Sequence, residues 1–414
     1  MLMYWRSYYY DLSRYRWTNL LTKNLSTMKK RMLIFSAAIL LFASCKRNES
    51  DQLSGEQPAI SKNGTLSLAN TPAAAPNTFK VFDQILFYDG YAATVTAPVP
   101  ADVTRLSNSK YIKKLSTTDL SKLSNSLDIK VSITPYCDNY DRIGSVGLSF
   151  IPKNSAFNEN IGKHIEVGRF ITPFMDKNKT PNVAPYLFST DNVANLLRDA
   201  GVRASYDIYV VFNLFGVPYA AQNEISGCGG HNETFYGTIE FVNKSGGTDP
   251  ATAVQMIPIA NEKDLDNYTA NNTDQVGSSK KTYTINLPSA VTDARLYLIT
   301  SAHGANSGGE EYVRRDHNIY FDNVLKLTYK PGGKSCEPYR QYNTQNNGIY
   351  GSVPRTASDW SSWSNWCPGD AIPIREISLG NLTAGNHTFK IDVPTAVFKD
   401  KQGSIRYSVY LQGR

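Results

Sequence analysis

The chain has 414 residues and a formal net charge of +7. Residues 1–44 hold Arg6, Arg14, Arg16, Lys23, Lys29, Lys30 and Arg31 against Asp11 alone, a balance of +6, so the rest of the chain stands near +1. A near-neutral chain has no basic footprint for nucleic acid, which excludes that class of partner. About 370 residues remain beyond position 44, more than one core usually holds, and two domains are expected.

The N-terminal region reads as an export signal. Met28 precedes the basic stretch Lys29-Lys30-Arg31, and an apolar run follows from Met32 to Phe42. That run has the length of a signal-peptide core and is too short for a spanning helix, which needs about 20 apolar residues. It ends in Ala43-Ser44 directly before Cys45. The order of basic, apolar and small residues before a cysteine resembles a bacterial lipoprotein signal, in which Cys45 is acylated and becomes the mature N-terminus. The plainer alternative is an ordinary cleaved signal with an incidental cysteine. The 27 residues before Met28 fit neither a signal nor a domain, and Met28 reads as the true start. Residues 46–77 are polar and poor in aromatics, a composition that buries too little apolar surface to fold. They read as a flexible tether with a reach of roughly 30 Å.

From about Phe79 onward, short β-rich runs alternate with Gly, Pro, Asn and Asp. Ile129–Ile133, Ser145–Phe150, Tyr206–Phe212 and Thr234–Phe241 alternate with period two or read as buried strands. The texture recurs at Thr282–Leu287, Ala294–Thr300, Asn318–Phe321, Thr388–Val393 and Ile405–Leu411. Only residues about 190–199 read as helix. The class is therefore all-β, and the strand and turn spacing predicts β-sandwiches of the jelly-roll kind. A turn-rich stretch from Lys244 to Pro250 places a boundary that gives domains over 78–247 and 248–414, after a signal region at 1–44 and a lipidated linker at 45–77.

Apart from Cys45, the cysteines are Cys137, Cys228, Cys336 and Cys367. An even number in an exported chain reads as disulfides, and composition leaves all three pairings open.

Three segments carry chemistry. Cys137-Asp138-Asn139-Tyr140-Asp141-Arg142 packs two acids, an aromatic and an arginine into a turn before a strand. Asp141 and Arg142 can serve catalysis, or form a structural ion pair. His303 to His317 is a long polar loop between apolar strands, a setting that favours function. Its Glu310 and Glu311 can equally be solvated surface, and its two histidines are a weak pattern for copper or zinc without a third ligand. Trp360, Trp363 and Trp366 recur at period three, which no single strand face can bury. They suit either packing or stacking on the C–H faces of a sugar.

Two of these segments sit within longer motifs. Asp138-Asn139-Tyr140-Asp141-Arg142 is followed by Glu166-Val167-Gly168-Arg169-Phe170-Ile171-Thr172-Pro173-Phe174, and the second half contains Trp366-Cys367-Pro368-Gly369-Asp370-Ala371-Ile372-Pro373-Ile374-Arg375. In this order they resemble the peptide-N-glycosidase F family, over roughly residues 79–414. The resemblance implies two adjacent eight-stranded antiparallel jelly rolls with a site in the cleft between them. It implies hydrolysis of the amide joining asparagine to the first N-acetylglucosamine of an N-glycan, without metal or cofactor, by a monomer acting on glycoproteins or glycopeptides. Asp141 matches the principal catalytic aspartate, Arg142 its neighbouring arginine, and Glu311 the acid from the second domain. Trp366 matches a cleft tryptophan, and Asn213, Trp363, His303 and Asp138 fall at substrate-binding positions. Cys336–Cys367 matches a family disulfide, which leaves Cys137 and Cys228 as the other pair.

The sequence also departs from the family. Asn213 and Phe215 stand where the family has a glutamate and a tryptophan, and Trp363 stands where it has an arginine. Asn213 hydrogen-bonds but cannot act as a base, so a non-catalytic glycan-binding lipoprotein on the same fold is the alternative. A copper enzyme on paired jelly rolls is a weaker one. Location at the bacterial outer membrane, on the cell surface or the periplasmic face, is expected.

Overall fold

A computed structural model describes residues 78–244, 253–305, 309–345 and 347–414. The signal region, Cys45, the tether and the boundary at 247–248 lie outside the described residues.

The first half contains β1 (Thr78–Tyr88), β2 (Val103–Ser107), β3 (Lys110–Lys114), β4 (Ser126–Pro135), β5 (Ile143–Pro152), β6 (Lys163–Ile171), β7 (Ala184–Ser189), β8 (Tyr206–Leu214) and β9 (Glu233–Lys244). The second contains β10 (Gln255–Leu265), β11 (Lys280–Leu287), β12 (Val291–His303), β13 (His317–Phe321), β14 (Val324–Tyr329), β15 (Arg375–Leu382), β16 (Gly385–Asp392) and β17 (Ser404–Gly413). Period-two patterning sets the inner faces. In β4, Leu127, Ile129, Val131 and Ile133 are fully buried and the residues between them are not, as a pleated strand with one face on a core requires.

The sheets of the first half are β1-β9-β4-β7 and β2-β3-β8-β5-β6. Those of the second are β10-β17-β12-β15 and β11-β16-β13-β14. With β2 set aside, the remaining eight strands of the first half follow the same order as the eight of the second: first-eighth-third-sixth, and second-seventh-fourth-fifth. That is the jelly-roll order, used twice. The β2–β3 hairpin gives the first sandwich a ninth strand among the described residues, one more than expected.

The expected helix is Asp191–Arg198, with Val193, Ala194, Leu196 and Leu197 buried. Short helices at Thr117–Ser121, Ala200–Ser205, Ala221–Glu224 and Ala357–Ser361 were not foreseen. They are too short to leave a helical period in the sequence. Two do carry a local signal, the capping boxes Ser116/Asp119 and Thr356/Asp359. Among the described residues no helix is long and apolar enough to cross a membrane.

The two sandwiches belong to one compact unit and meet along β6. Arg169 is fully buried there and forms a two-pronged pair with Glu166 at 2.7 and 2.6 Å. It also donates to Ser301 Oγ (2.9 Å) and to the Arg406 carbonyl (2.7 Å) of the second sandwich. Ser408 Oγ donates to Glu166 in return. The backbone of β6 continues this seam: Ile171 N–H donates to Asp370 O, and Ile372 N–H to Arg169 O. The Gly-Arg-Phe-Ile and Cys-Pro-Gly-Asp motifs, about 200 residues apart, are thus hydrogen-bonded neighbours.

Candidate active site

The turn between β4 and β5 carries the first acidic cluster. Asp138 is 1 % exposed. Its Oδ1 accepts the Tyr140 N–H, and its Oδ2 accepts the Val217 N–H at 2.6 Å and Arg142 Nε at 2.7 Å. An aspartate accepting from its own backbone two residues on is a turn-former. Asp138 is therefore sealed beneath the site as a bracket for Arg142, which corrects its expected place among substrate-binding residues. The turn is held elsewhere by the disulfide Cys137–Cys228 and by Asn139 donating to Glu224 at 2.7 Å. Thr172 Oγ1 accepts the Arg142 N–H and donates to Tyr140 O, tying the turn to the end of the β6 motif.

With Asp138 holding Arg142, Asp141 is left to face a cavity of about 550 Å³ between the sandwiches. Arg142, Glu311, His303 and Trp366 line the same cavity. Burial is the largest influence on Asp141 and pushes its pKa well above the ordinary carboxylate range; the Glu311 charge adds to this and Arg142 opposes it. Glu311 is raised as well, first by burial, with the Gly304 N–H (3.1 Å) and Tyr312 working against it. The two carboxyls thus sit within electrostatic reach of each other on opposite sandwiches, and both are pushed toward the protonated form.

The loop that supplies Glu311 is anchored by its neighbours. Asn365 Nδ2 donates to the carbonyls of Glu310 (2.7 Å) and Glu311 (2.8 Å), and Ser364 Oγ to Glu311 O. At the end of β12, Gly304 (φ 129°) and Gly403 (φ 75°) approach so closely that a Cβ on Gly403 would lie 2.1 Å from the His303 carbonyl. Only glycine fits that contact. It brings the β12 end against the start of β17, where His303 pairs in register with Ser404.

His303 takes a hydrogen bond with Ser301 Oγ through Nε2 at 2.8 Å and lies beside Trp366. Burial lowers its pKa to about 3, helped by Arg169 and Arg406, so it is neutral near physiological pH. His317 stacks on Tyr329 inside the second sandwich, where burial lowers it to about 4. Among the described residues no group of three metal-ligating side chains is close enough to hold an ion.

The tryptophans separate into three roles. Trp360 is buried on the short helix Ala357–Ser361 against the Cys336–Cys367 disulfide and donates to Glu337 at 3.0 Å. Trp366 donates to Ala302 O at 2.9 Å and walls the cavity. Trp363 packs on Trp360 and on Tyr312, which lines the cavity, and stands behind that wall rather than on it. Asn213 is likewise outside this cavity and lines an adjoining recess with Phe215.

Several lining residues were not singled out from sequence: Tyr312, Phe174, Asp264, Ser404 and Arg406. Arg406 and Asp264 pair across β10 and β17 at 3.3 Å. Tyr140 and Tyr312 are 40 % and 38 % exposed at the cavity, large rings left open on its wall.

Paired jelly rolls with one carboxyl from each facing across a seam cavity define a class of two-sandwich proteins with an acidic interdomain cleft. The chain belongs to the peptide-N-glycosidase F family: the family's N-terminal model matches residues 78–228 and its C-terminal model residues 269–412. It is 24 % identical over 373 residues to peptide-N(4)-(N-acetyl-beta-D-glucosaminyl)asparagine amidase F of Elizabethkingia miricola, covering 86 % of this chain and 88 % of that one. Among solved structures, PNGF-II superposes with a TM-score of 0.57 at 19 % identity, covering 81 % of this chain. This chain spans only 65 % of the length of PNGF-II. PNGase F of Flavobacterium meningosepticum superposes with a TM-score of 0.50 at 17 % identity, covering 81 % of this chain and 95 % of that one. These structural likenesses establish the shared fold.

Proposed function

We propose that the protein hydrolyses the amide between asparagine and the first N-acetylglucosamine of N-glycoproteins or glycopeptides. The observation that carries this reading is the Asp141–Glu311 pair, two carboxyls from opposite sandwiches that line one cavity and are both raised by burial. Amide hydrolysis needs a water made nucleophilic and a proton for the departing nitrogen, and carboxyls with separated pKa values divide that work.

With Glu311 ionised and Asp141 protonated, Glu311 takes a proton from water as the oxygen adds to the amide carbon. The oxyanion forms near Arg142, whose Nε and Nη2 are held by Asp138 and the Val217 carbonyl. Its Nη1 makes no hydrogen bond among the described residues, and the guanidinium, stacked over Tyr140, stabilises that charge. Asp141 gives its proton to the nitrogen as the C–N bond breaks. Asparagine becomes aspartate and a glycosylamine leaves, which then loses ammonia in water. The cycle closes when Glu311 releases its proton to solvent and Asp141 takes one up. Tyr140 and Tyr312 offer ring faces to the sugar, and the buried Trp366 backs the cavity wall.

The test is glycan release from a glycopeptide by wild type, Asp141→Asn and Glu311→Gln. Release by wild type and its loss in both variants supports the assignment; a variant at wild-type rate sinks it. Binding without release across many glycopeptides would favour the second reading, a glycan-binding protein, which the Asn213 departure motivates. We further propose that a lipid on Cys45 holds the enzyme at the outer membrane beside its glycoprotein substrates. Mass spectrometry of the native N-terminus decides that point: an acylated Cys45 supports it and an unmodified N-terminus contradicts it.

A further inference from the structure

The turn that carries Asp141 has a small core of its own. Cys137 and Cys228 are fully buried and pack with Ala221 and Ile225 in an apolar cluster separate from the cores of the two sandwiches. All but Cys137 come from the connection between β8 and β9, which includes the short helix Ala221–Glu224. That connection is itself fastened to the loop after β6. Lys177 Nζ donates to Gly227 O at 2.7 Å, and Asn178 Nδ2 to Ser226 O at 3.0 Å.

The same connection grips the turn at three successive residues. Cys228 is bonded to Cys137, the Val217 N–H donates to Asp138, and Glu224 Oε2 accepts from Asn139 Nδ2 at 2.7 Å. Tyr140 and Asp141, the next two residues, line the catalytic cavity. Asn139 is 1 % exposed, and its Oδ1 has no hydrogen-bond partner among the described residues. Its side chain is therefore oriented by the bond to Glu224, and a carboxylate acceptor makes that bond one of the stronger kind. Glu224 also reaches the second sandwich, because the same oxygen accepts from Gln345 Nε2 at 3.4 Å. Residues 343–345 are pinned to the cavity-lining Phe174, which donates its N–H to Asn343 Oδ1 at 2.9 Å and accepts the Gln345 N–H at 3.0 Å. Glu224 lies outside the cavity, yet takes one bond from the turn that carries Asp141 and one from the sandwich that carries Glu311.

We propose that Glu224 is a positioning residue for the reaction, holding the 137–142 turn so that the Asp141 carboxyl meets the scissile amide opposite Glu311. This rests on the glycan-releasing reading of the site. Glu224 touches no reacting atom and acts through Asn139. Without it the buried Asn139 amide loses its acceptor, and the turn must shift to find another. Small misplacements of a reacting group are enough to slow the chemical step.

The test compares Glu224→Ala and Glu224→Gln with wild type. Glutamine keeps an oxygen that accepts from Asn139, and alanine does not. Glu224→Ala should lower kcat by roughly 10–100-fold with KM little changed. The alkaline limb of its pH profile should move to lower pH, because a loosened turn lets water reach Asp141 and relieves the burial that holds its proton. Glu224→Gln should recover most of kcat and the wild-type profile. Wild-type kcat in Glu224→Ala, an unmoved alkaline limb, or an equal loss in Glu224→Gln overturns the proposal. Hydrogen exchange followed by mass spectrometry gives a second measure that needs no substrate. Amides of residues 137–142 should exchange about tenfold faster in Glu224→Ala, while those of β4 keep their wild-type rates. An unchanged turn, or faster exchange throughout the first sandwich, overturns the proposal. If wild type releases no glycan, the amidase reading fails, and the exchange comparison still decides whether Glu224 holds the turn.

Discussion

Glu310 and Glu311 are adjacent in sequence and serve opposite ends. Glu310 is fully buried, grips Arg315 through both oxygens at 2.9 and 3.0 Å, and accepts the Val397 N–H at 2.8 Å. Glu311 lines the cavity. Glu310→Ala strands Arg315 and should cost about 3 kcal/mol of stability. Glu311→Gln should leave denaturation nearly unchanged and lower glycan release by roughly 10²–10⁴. Urea melts and release rates on both variants check the division, and a Glu310 variant that keeps its stability while losing all release contradicts it.

The buried carboxyl of Asp141 works against the fold once ionised. Its pKa in the folded protein is raised, first by burial and then by Glu311. The folded state therefore holds the proton more tightly than the unfolded state, and stability falls as pH rises above the unfolded carboxyl value of about 4. Asp141→Asn removes that term. The variant should melt higher than wild type at pH 7 and equal to it near pH 4. Differential scanning calorimetry at the two pH values is the check; a lower melting temperature at pH 7 contradicts the assigned shift.

On the proposed mechanism the same pair sets the pH dependence of release. Release should fall at low pH as Glu311 gains a proton and at high pH as Asp141 loses one, giving a bell-shaped kcat/KM. Both values are displaced upward, so the bell should lie at higher pH than two ordinary carboxyls would give. His303, lowered to about 3, should add no step near its ordinary value. A step that disappears in His303→Gln would contradict this.

The turn and strand periodicity were legible because they are local. The alternation in β4 and the small-residue turns mark a sandwich without reference to the rest of the chain. The motifs holding Asp141, Glu311 and Trp366 were legible because each is contiguous. The direction of a side chain was not. Asp138 and Asp141 are one turn apart and both acidic, yet Asp138 turns inward to three donors and Asp141 into the cavity. Trp363 and Trp366 divide in the same way, because a helix and a loop replace the strand that period three was read against.

The β6 clamp predicts coupling between the sandwiches. Arg169→Met leaves Glu166 buried without its partner and should cost about 3–5 kcal/mol, with release lost as the cleft loosens. Adding Glu166→Gln should restore part of that stability, because the stranded charge is gone. Additive losses in the double variant would show that the two residues do not act as a unit.

The central claim is that water replaces nitrogen on an asparagine side chain in the cavity between Asp141 and Glu311. Incubating a glycopeptide with the full-length protein in ¹⁸O-labelled water tests this by mass spectrometry. The account predicts release of the intact glycan, with one heavy oxygen in the side chain of the new aspartate, and loss of both signals in Asp141→Asn. A glycopeptide left whole, or one cut between sugars so that N-acetylglucosamine stays on an unchanged asparagine, would contradict it.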